Sequence, residues 1–324
     1  MTESPALAEV LRLRPPLRPL AAEDERTLSA LFDDWGRLAE TEHAMPPVSP
    51  LIFRLLKVDR DAPLAISQVG EIVESDPILT ARLLGLANSA LYMRGGKAIT
   101  DVKSAILRLG VYNAFETTFT QLFGMWVRHA SRIPDDALLD ALWLEYLITA
   151  FTAREVAAVL DDPAADTGVC YTSALLHDVG TLALTWAEPK AMARFIQAGY
   201  APGTPLHDHF VEAHTRLGAG LLQAWKAPEP LADVALTHHL PFARHTGPVT
   251  SVVHIADHLH DEVLAHELSE FAPPDTYPLG CFGGMSEAVS AAIAALGLHH
   301  RLDGIIERVA KQSARIDALA RMPA

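Results

Sequence analysis

Adjacent histidine and aspartate stand at His177-Asp178, inside the apolar segment SALLHDVGTLAL. Both side chains are costly to bury without partners. A divalent metal removes that cost, because neutral imidazole and carboxylate are ligands for borderline divalent ions. One such dipeptide says little, but further candidate ligands follow it. They are His214 in EAHTRLGAGLL, His238-His239 in ALTHHLP and Asp257 in VVHIADHLH. The intervals are 36 residues from Asp178 to His214, 24 from His214 to His238 and 18 from His239 to Asp257. The chemistry this set could support is the binding of one or two divalent ions, with Fe, Mn, Zn, Mg and Ni not distinguished by the residue types.

The elements that must position these residues are helices. Asp76-Pro77 reads as an N-cap followed by proline at the first helical position, where the missing N–H costs nothing. Leu79, Leu83, Leu84 and Leu86 then supply a buried face. Asp101 caps a helix carrying Val102, Ala105, Ile106 and Leu109 on one stripe, closed by Gly110. Further helices are predicted over 112–128, from Pro134 to Asp161-Asp162-Pro163, and over 169–183, 189–198, 214–226, 229–239 and 248–266. Each candidate ligand lies within or at the end of one of them, which suits a site assembled between bundle helices. Residues 267–284 read as an irregular loop, and helices near 286–296 and 301–320 end the sequence. Upstream, a Pro-rich leader precedes a helix at 22–43. Its stripe of Leu28, Leu31, Phe32, Trp35 and Leu38 must bury against its own domain, a partner chain or another module. Alternating β-branched segments are absent, so the fold class is all-α.

Composition bounds the partners. The 324 residues carry 26 Lys and Arg against 40 Asp and Glu, a formal charge of −14, which repels phosphate backbones and anionic membranes. Arg12, Arg14 and Arg18 are the nearest approach to a basic patch, and they read as part of a solvated tail. Nucleic acid and membrane are therefore not expected as partners. No apolar run reaches 18 residues and no signal peptide is legible. Cys170 and Cys281 give neither a disulfide framework nor a CxxC, so a cytoplasmic location is expected. No phosphate-loop, dinucleotide or serine-hydrolase motif is present.

The order His-Asp, His, His-His, Asp resembles the metal-ligand order of the HD superfamily, in particular its two-metal branch, the HD-GYP phosphodiesterases. The flanking sequence resembles another branch. PPVSPLIFRLL at 46–56, ESDPILTARLLGLANSALY at 74–92 and KSAILRLG at 103–110 are similar to hallmark segments of HDOD domains. That likeness runs over about 46–260 and implies a two-lobed helical fold. Its parts would be a leader with an amphipathic helix at 1–45 and an HDOD domain at 46–266, whose lobes are 46–131 and 132–266. A C-terminal loop and helices at 267–324 would pack on the second lobe. Asn88 and Ser89, in the hallmark ANSA, are read as capping one helix and bonding the next loop.

This chain also departs from the HD pattern. HD hydrolases begin their ligand set with a histidine on the preceding helix, whereas ALWLEYLITA places Glu145 there. The phosphodiesterases carry lysine in HDxGK, and HDVGT places Thr181 at that position. The GYP segment is missing after His238-His239. The resemblance implies that His177, Asp178 and Asp257 lie within ligand reach of one another, with Glu145 nearby. His214 and His238 would hold a second ion, and a bridging Asp178 would set two metals about 3.5–4 Å apart. Two functions follow. One is a bacterial signal-transduction regulatory or output module working through contacts with signalling proteins, its HD site degenerate. The other is a metal-dependent phosphohydrolase acting on a nucleotide or cyclic dinucleotide. Of the remaining histidines, His254 shares a helical face with Asp257.

Overall fold

The computed structural model describes residues 19–40, 48–93, 96–130, 132–134, 136–201, 203–268 and 287–320. Among them there are helices, turns and no β-strand. Arg12, Arg14, Arg18, the Pro46-Pro47 boundary, the loop from 269 onward and Cys281 lie outside the described residues. The chain divides into two compact units, residues 47–127 and residues 1–46 with 128–320.

The predicted helix at 22–43 is two helices, α1 (Ala22–Asp33) and α2 (Trp35–Glu40), separated at Asp34. Leu28, Leu31 and Phe32 of α1 are buried, as is Asp24. The stripe packs within its own unit, and Asp24 pairs with Arg194 there.

The unit at 47–127 is built from α3 (Pro50–Leu56), α4 (Ala65–Glu74), α5 (Pro77–Ala87), α6 (Ala90–Met93), α7 (Val102–Leu109) and most of α8 (Val111–Ala130). Its punctuation follows from side chains that satisfy helix-end donors. Asp76 Oδ1 accepts from the amides of Ile78 at 2.7 Å and Leu79 at 3.2 Å. Asp101 Oδ1 accepts from Ser104 N at 2.8 Å, and Gly110 ends α7 at φ +82°, where a side chain would be strained. Asn88 closes α5 and clasps the next loop. Its Nδ2 donates to the Ile99 carbonyl and its Oδ1 accepts from the Ile99 amide, both at 2.8 Å. Along α8, Phe115, Phe119, Phe123 and Trp126 lie on one face, with successive ring centroids 6.3, 6.3 and 5.7 Å apart.

The second unit contains α9 (Asp136–Leu160), α10 (Thr167–Leu176), α11 (Val179–Ala187), α12 (Pro189–Gln197), α13 (Pro205–Ala224), α14 (Glu229–Thr237), α15 (Pro248–Leu268), α16 (Glu287–Ala295), α17 (Leu302–Ala310) and α18 (Ser313–Ala320). In α9 the run from Leu138 to Ile148 is apolar around most of the helix, with Leu139, Leu142, Trp143, Leu144 and Leu147 all buried, as befits a central helix. It packs against α10, α15, α17 and α18. Trp143 Nε1 donates to the Leu319 carbonyl at 3.3 Å.

Three further boundaries in this unit differ from the sequence reading. The first is at the end, where the helix expected near 301–320 is two, α17 and α18, separated at Lys311-Gln312. The continuous helix expected at 169–183 breaks at His177-Asp178, which end α10 and open α11. The helix expected from 214 begins nine residues earlier. Thr204 caps α13 and Pro205 takes its first position, the signal already used at Asp76-Pro77.

A candidate metal centre in the second unit

The break between α10 and α11 is what brings His177 and Asp178 to one point. Within a continuous helix, neighbouring side chains diverge by about 100° around the axis. Here His177 ends one helix and Asp178 precedes the next, so both reach a common centre. Gly180 allows α13 to come close. A Cβ at that position would fall 1.9 Å from the His214 carbonyl oxygen and 2.8 Å from Gly218 N. The glycine in HDVG is therefore required by backbone contact.

Side chains from α10, α13, the end of α14 and α15 meet there. His177 Nε2 lies 3.2 Å from Asp257 Oδ1 and 3.8 Å from Asp178 Oδ1. His214 Nε2 and His238 Nε2 lie 3.3 and 3.5 Å from the same Asp178 oxygen. His239 Nε2 is 3.1 Å from His214 Nε2. Two overlapping donor groups result: Asp178, His214, His238 and His239 on one side, and His177, His238 and Asp257 on the other. Asp178 and Asp257 retain 20% and 13% side-chain exposure, whereas His177, His214 and His238 are buried.

The tautomers follow from the backbone. A carbonyl only accepts, so each ring nitrogen facing one must carry the proton. His177 Nδ1 donates to Ala174 O at 2.6 Å, His214 Nδ1 to Phe210 O at 2.8 Å, and His238 Nδ1 to Ala235 O at 3.0 Å. In each neutral ring the lone pair therefore sits on Nε2 and faces carboxylate oxygen. Lone pairs facing lone pairs at these distances are unfavourable unless something positive stands between them. Asp178 Oδ1 and His238 Nε2 are buried and lack any hydrogen-bond partner. This donor set fits a divalent cation, and the backbone carbonyls supply the orienting outer bonds that such ligands need.

With no cation between them, the carboxylates draw a proton to His177. Burial pushes the His177 imidazole down, but the carboxylates of Asp178 and Asp257 outweigh it and raise its pKa to about 9. Burial would raise Asp178, yet the His177 and His214 imidazoles hold it well below the usual carboxylate range. Asp257 is likewise lowered, with burial opposed by His177. Burial lowers His238, and burial with the neighbouring His238 and His214 lowers His239. These two rings are thus held in the neutral, ligating form, while the carboxylates concentrate positive charge at His177.

A cleft opens beside the centre. It is lined by Glu145, Tyr146, Thr149, His177, Asp178, Tyr200, His207, Phe210, His239 and Asp257. Glu145 thus stands on the same cleft as the cluster but outside the two donor groups. Thr181, read from the sequence as occupying the position of a substrate-facing lysine, does not line the cleft. It is fully buried and its hydroxyl lacks a partner. Cys170 is buried and its thiol is pushed up to about 12, chiefly by burial. His254 supports the centre from behind, its Nδ1 donating to the His238 carbonyl at 2.6 Å. Sequence reasoning missed Tyr146, Thr149, Tyr200, His207 and Phe210. A signal was available for two of them: His207, Phe210 and His214 fall at i, i+3 and i+7 on one face of α13.

The chain matches the HDOD domain family over residues 45–241. A protein of Treponema pallidum (strain Nichols), itself uncharacterized, is 25% identical over 243 residues, covering 69% of this chain and 46% of its own. Among solved structures, an HDOD domain protein with unknown function from Geobacter sulfurreducens aligns at 20% identity and a TM-score of 0.64, covering 91% of this chain and 97% of that one. A candidate phosphohydrolase from Shewanella amazonensis SB2B aligns at 21% identity and 0.60, covering 90% and 97%. A candidate signal transduction protein from Marinobacter aquaeolei VT8 aligns at 19% and 0.60, covering 98% of this chain and 64% of its own. This chain therefore spans less than two-thirds of the Treponema and Marinobacter proteins. The structural likenesses establish the fold.

Proposed function

This chain belongs to the HDOD family, and from that premise we propose that it is a bacterial signal-transduction module. It works through contacts with signalling proteins and carries a metal-binding HD centre with little or no hydrolytic turnover. The observation that carries this reading is the composition of the cleft. Among the described residues that line it there are three carboxylates, from Glu145, Asp178 and Asp257, and no lysine or arginine. Phosphoryl chemistry needs a substrate anion drawn in, held in line and relieved of developing charge. Nothing on this lining offers a lysine or arginine for that, the positive charge at His177 is already matched by Asp178 and Asp257, and the chain's charge of −14 opposes anion entry.

His177, Asp178 and Asp257 would hold one ion, and Asp178, His214, His238 and His239 the other, with Glu145 at the edge. A bound divalent ion would supply Lewis acidity and water activation. The protein's own residues do the rest. The Ala174, Phe210 and Ala235 carbonyls fix each ring's tautomer, burial keeps His238 and His239 neutral, and Tyr146 donates to the Asp178 carbonyl at 3.2 Å. The completeness of this donor set favours a second reading, a metal-dependent phosphohydrolase acting on a nucleotide or cyclic dinucleotide.

Metal analysis of protein purified without chelator tests the binding part. One to two equivalents of divalent metal are expected in the wild type and none in Asp178→Ala. Metal-free wild type that also fails to take up added Mn²⁺ would contradict it.

A further inference from the structure

The matched family region begins at residue 45, so α1 lies outside it, yet α1 packs on α12 and on α13, the helix that carries His214. Phe32 of α1 is 2% exposed, with its ring centroid 5.4 Å from that of Phe195 and 5.6 Å from that of Phe210. Phe195, Tyr200 and His207 also flank the Phe210 ring, at 5.1, 5.3 and 6.4 Å. Phe210 in turn touches His214 twice. Its carbonyl takes the His214 Nδ1 proton at 2.8 Å, and its ring stacks on the imidazole at 4.4 Å with planes 25° apart. The carbonyl selects the Nδ1–H tautomer only while the stacked ring holds the imidazole with Nδ1 turned towards it. Together they aim Nε2 at Asp178.

We propose that α1 is part of the metal centre's supporting structure, with Phe32 as a positioning residue that acts through Phe210 on His214. The physical reason is packing. A helical Phe four residues before a His can stack on it or swing to another rotamer, and nothing in α13 alone selects between these. Phe32 closes the space into which Phe210 would swing. Buried Asp24, paired with the exposed Arg194, and Leu28 anchor α1 in place. Leu28 is fully buried in the same helix and provides a control for loss of core packing without loss of an aromatic contact to Phe210. The inference uses the metal reading above only for its affinity measurement, and its tautomer measurement is independent of it.

The test uses full-length Phe32→Ala, Phe32→Leu and Leu28→Ala proteins, each checked for helical content by circular dichroism. In ¹⁵N-labelled protein without metal, long-range ¹H–¹⁵N spectra, with His214→Gln to assign the signal, read the His214 tautomer. The wild type, Phe32→Leu and Leu28→Ala are expected to show a single Nδ1–H form, and Phe32→Ala a mixture. Mn²⁺ affinity by calorimetry is expected to fall about tenfold in Phe32→Ala, the lower end of what loss of an orienting neighbour costs, and to stay within threefold of wild type in the other two. If Phe32→Ala does not fold, Phe32→Val replaces it with the same expected direction. A single Nδ1–H form in the truncated variant, or equal losses in Leu28→Ala, overturns the proposal. A wild type that binds no Mn²⁺ counts against the metal reading, and the tautomer spectra then decide this one alone.

Discussion

His238 Nε2 faces Asp178 Oδ1 across 3.5 Å, both atoms buried and neither with a hydrogen-bond partner. An unsatisfied buried polar atom costs about 1–3 kcal/mol, so a fold that keeps two of them facing each other is organised around something that satisfies both. A divalent cation does so, and the predictions begin from that pair.

Metal should stabilise the second unit. A ligand that binds only the folded state adds about 2.7 kcal/mol at one hundred times its dissociation constant. Added Mn²⁺ is expected to raise the melting temperature of chelator-treated wild type and to leave that of Asp178→Ala unchanged. Differential scanning calorimetry reads both, and equal shifts would place the stabilising ion elsewhere.

Gly180→Ala should damage the fold at the site. The new methyl would sit 1.9 Å from the His214 carbonyl, and backbone cannot yield as a flexible side chain can. Moving α11 from α13 should cost at least the 1–3 kcal/mol typical of overpacking and weaken metal binding with it. Urea denaturation and Mn²⁺ calorimetry check the two effects, while unchanged stability would show that the helices part without cost.

Asn88→Ala should loosen the 47–127 unit without touching the metal centre. It removes both bonds to Ile99 and leaves that residue's amide and carbonyl without these partners. A loss of about 1–3 kcal/mol is expected. Hydrogen exchange at Ile99 should rise, with Mn²⁺ affinity unchanged. Continued protection at Ile99 would show that the clasp is not what orders the loop.

Cys170 should be inert in the folded protein. Its thiol is buried and pushed up to about 12, so almost no thiolate exists at pH 8. Peptide-resolved mass spectrometry after iodoacetamide treatment at pH 8 is expected to find Cys170 unmodified in native protein and modified in urea. Rapid native labelling would mean that the unit opens readily.

Much of this was legible in the sequence, because its signals are local. Asp76-Pro77 and Asp101 cap helices through their own side chains, and Asn88 bonds a loop eleven residues away. The order His177-Asp178, His214, His238-His239, Asp257 carried the candidate centre because ligands leave residue types behind. What escaped depends on tertiary packing. The break at His177-Asp178 has no proline or glycine between the helices to announce it, since Gly180 serves the contact with α13. Phe210 and Tyr200 read as ordinary core until their ring contacts around the site are seen. Thr181 marks where a motif residue differs, but only the packing shows that its side chain is buried away from the cleft. For that reason Glu145→His, on the cleft itself, probes the altered ligand set better than Thr181→Lys.

The central claim, a metal centre kept without hydrolytic turnover, is tested most directly by assaying Mn²⁺-loaded or Fe²⁺-loaded wild type against a cyclic dinucleotide. Asp178→Ala serves as the blank and Glu145→His as a completed ligand set. Loss of one group that stabilises charge in the transition state costs on the order of 10²–10³ in rate, and this cleft's described lining offers no lysine or arginine. The account predicts bound metal with hydrolysis indistinguishable from Asp178→Ala in both the wild type and Glu145→His. Robust wild-type hydrolysis that Asp178→Ala abolishes would contradict it and make the protein a phosphohydrolase.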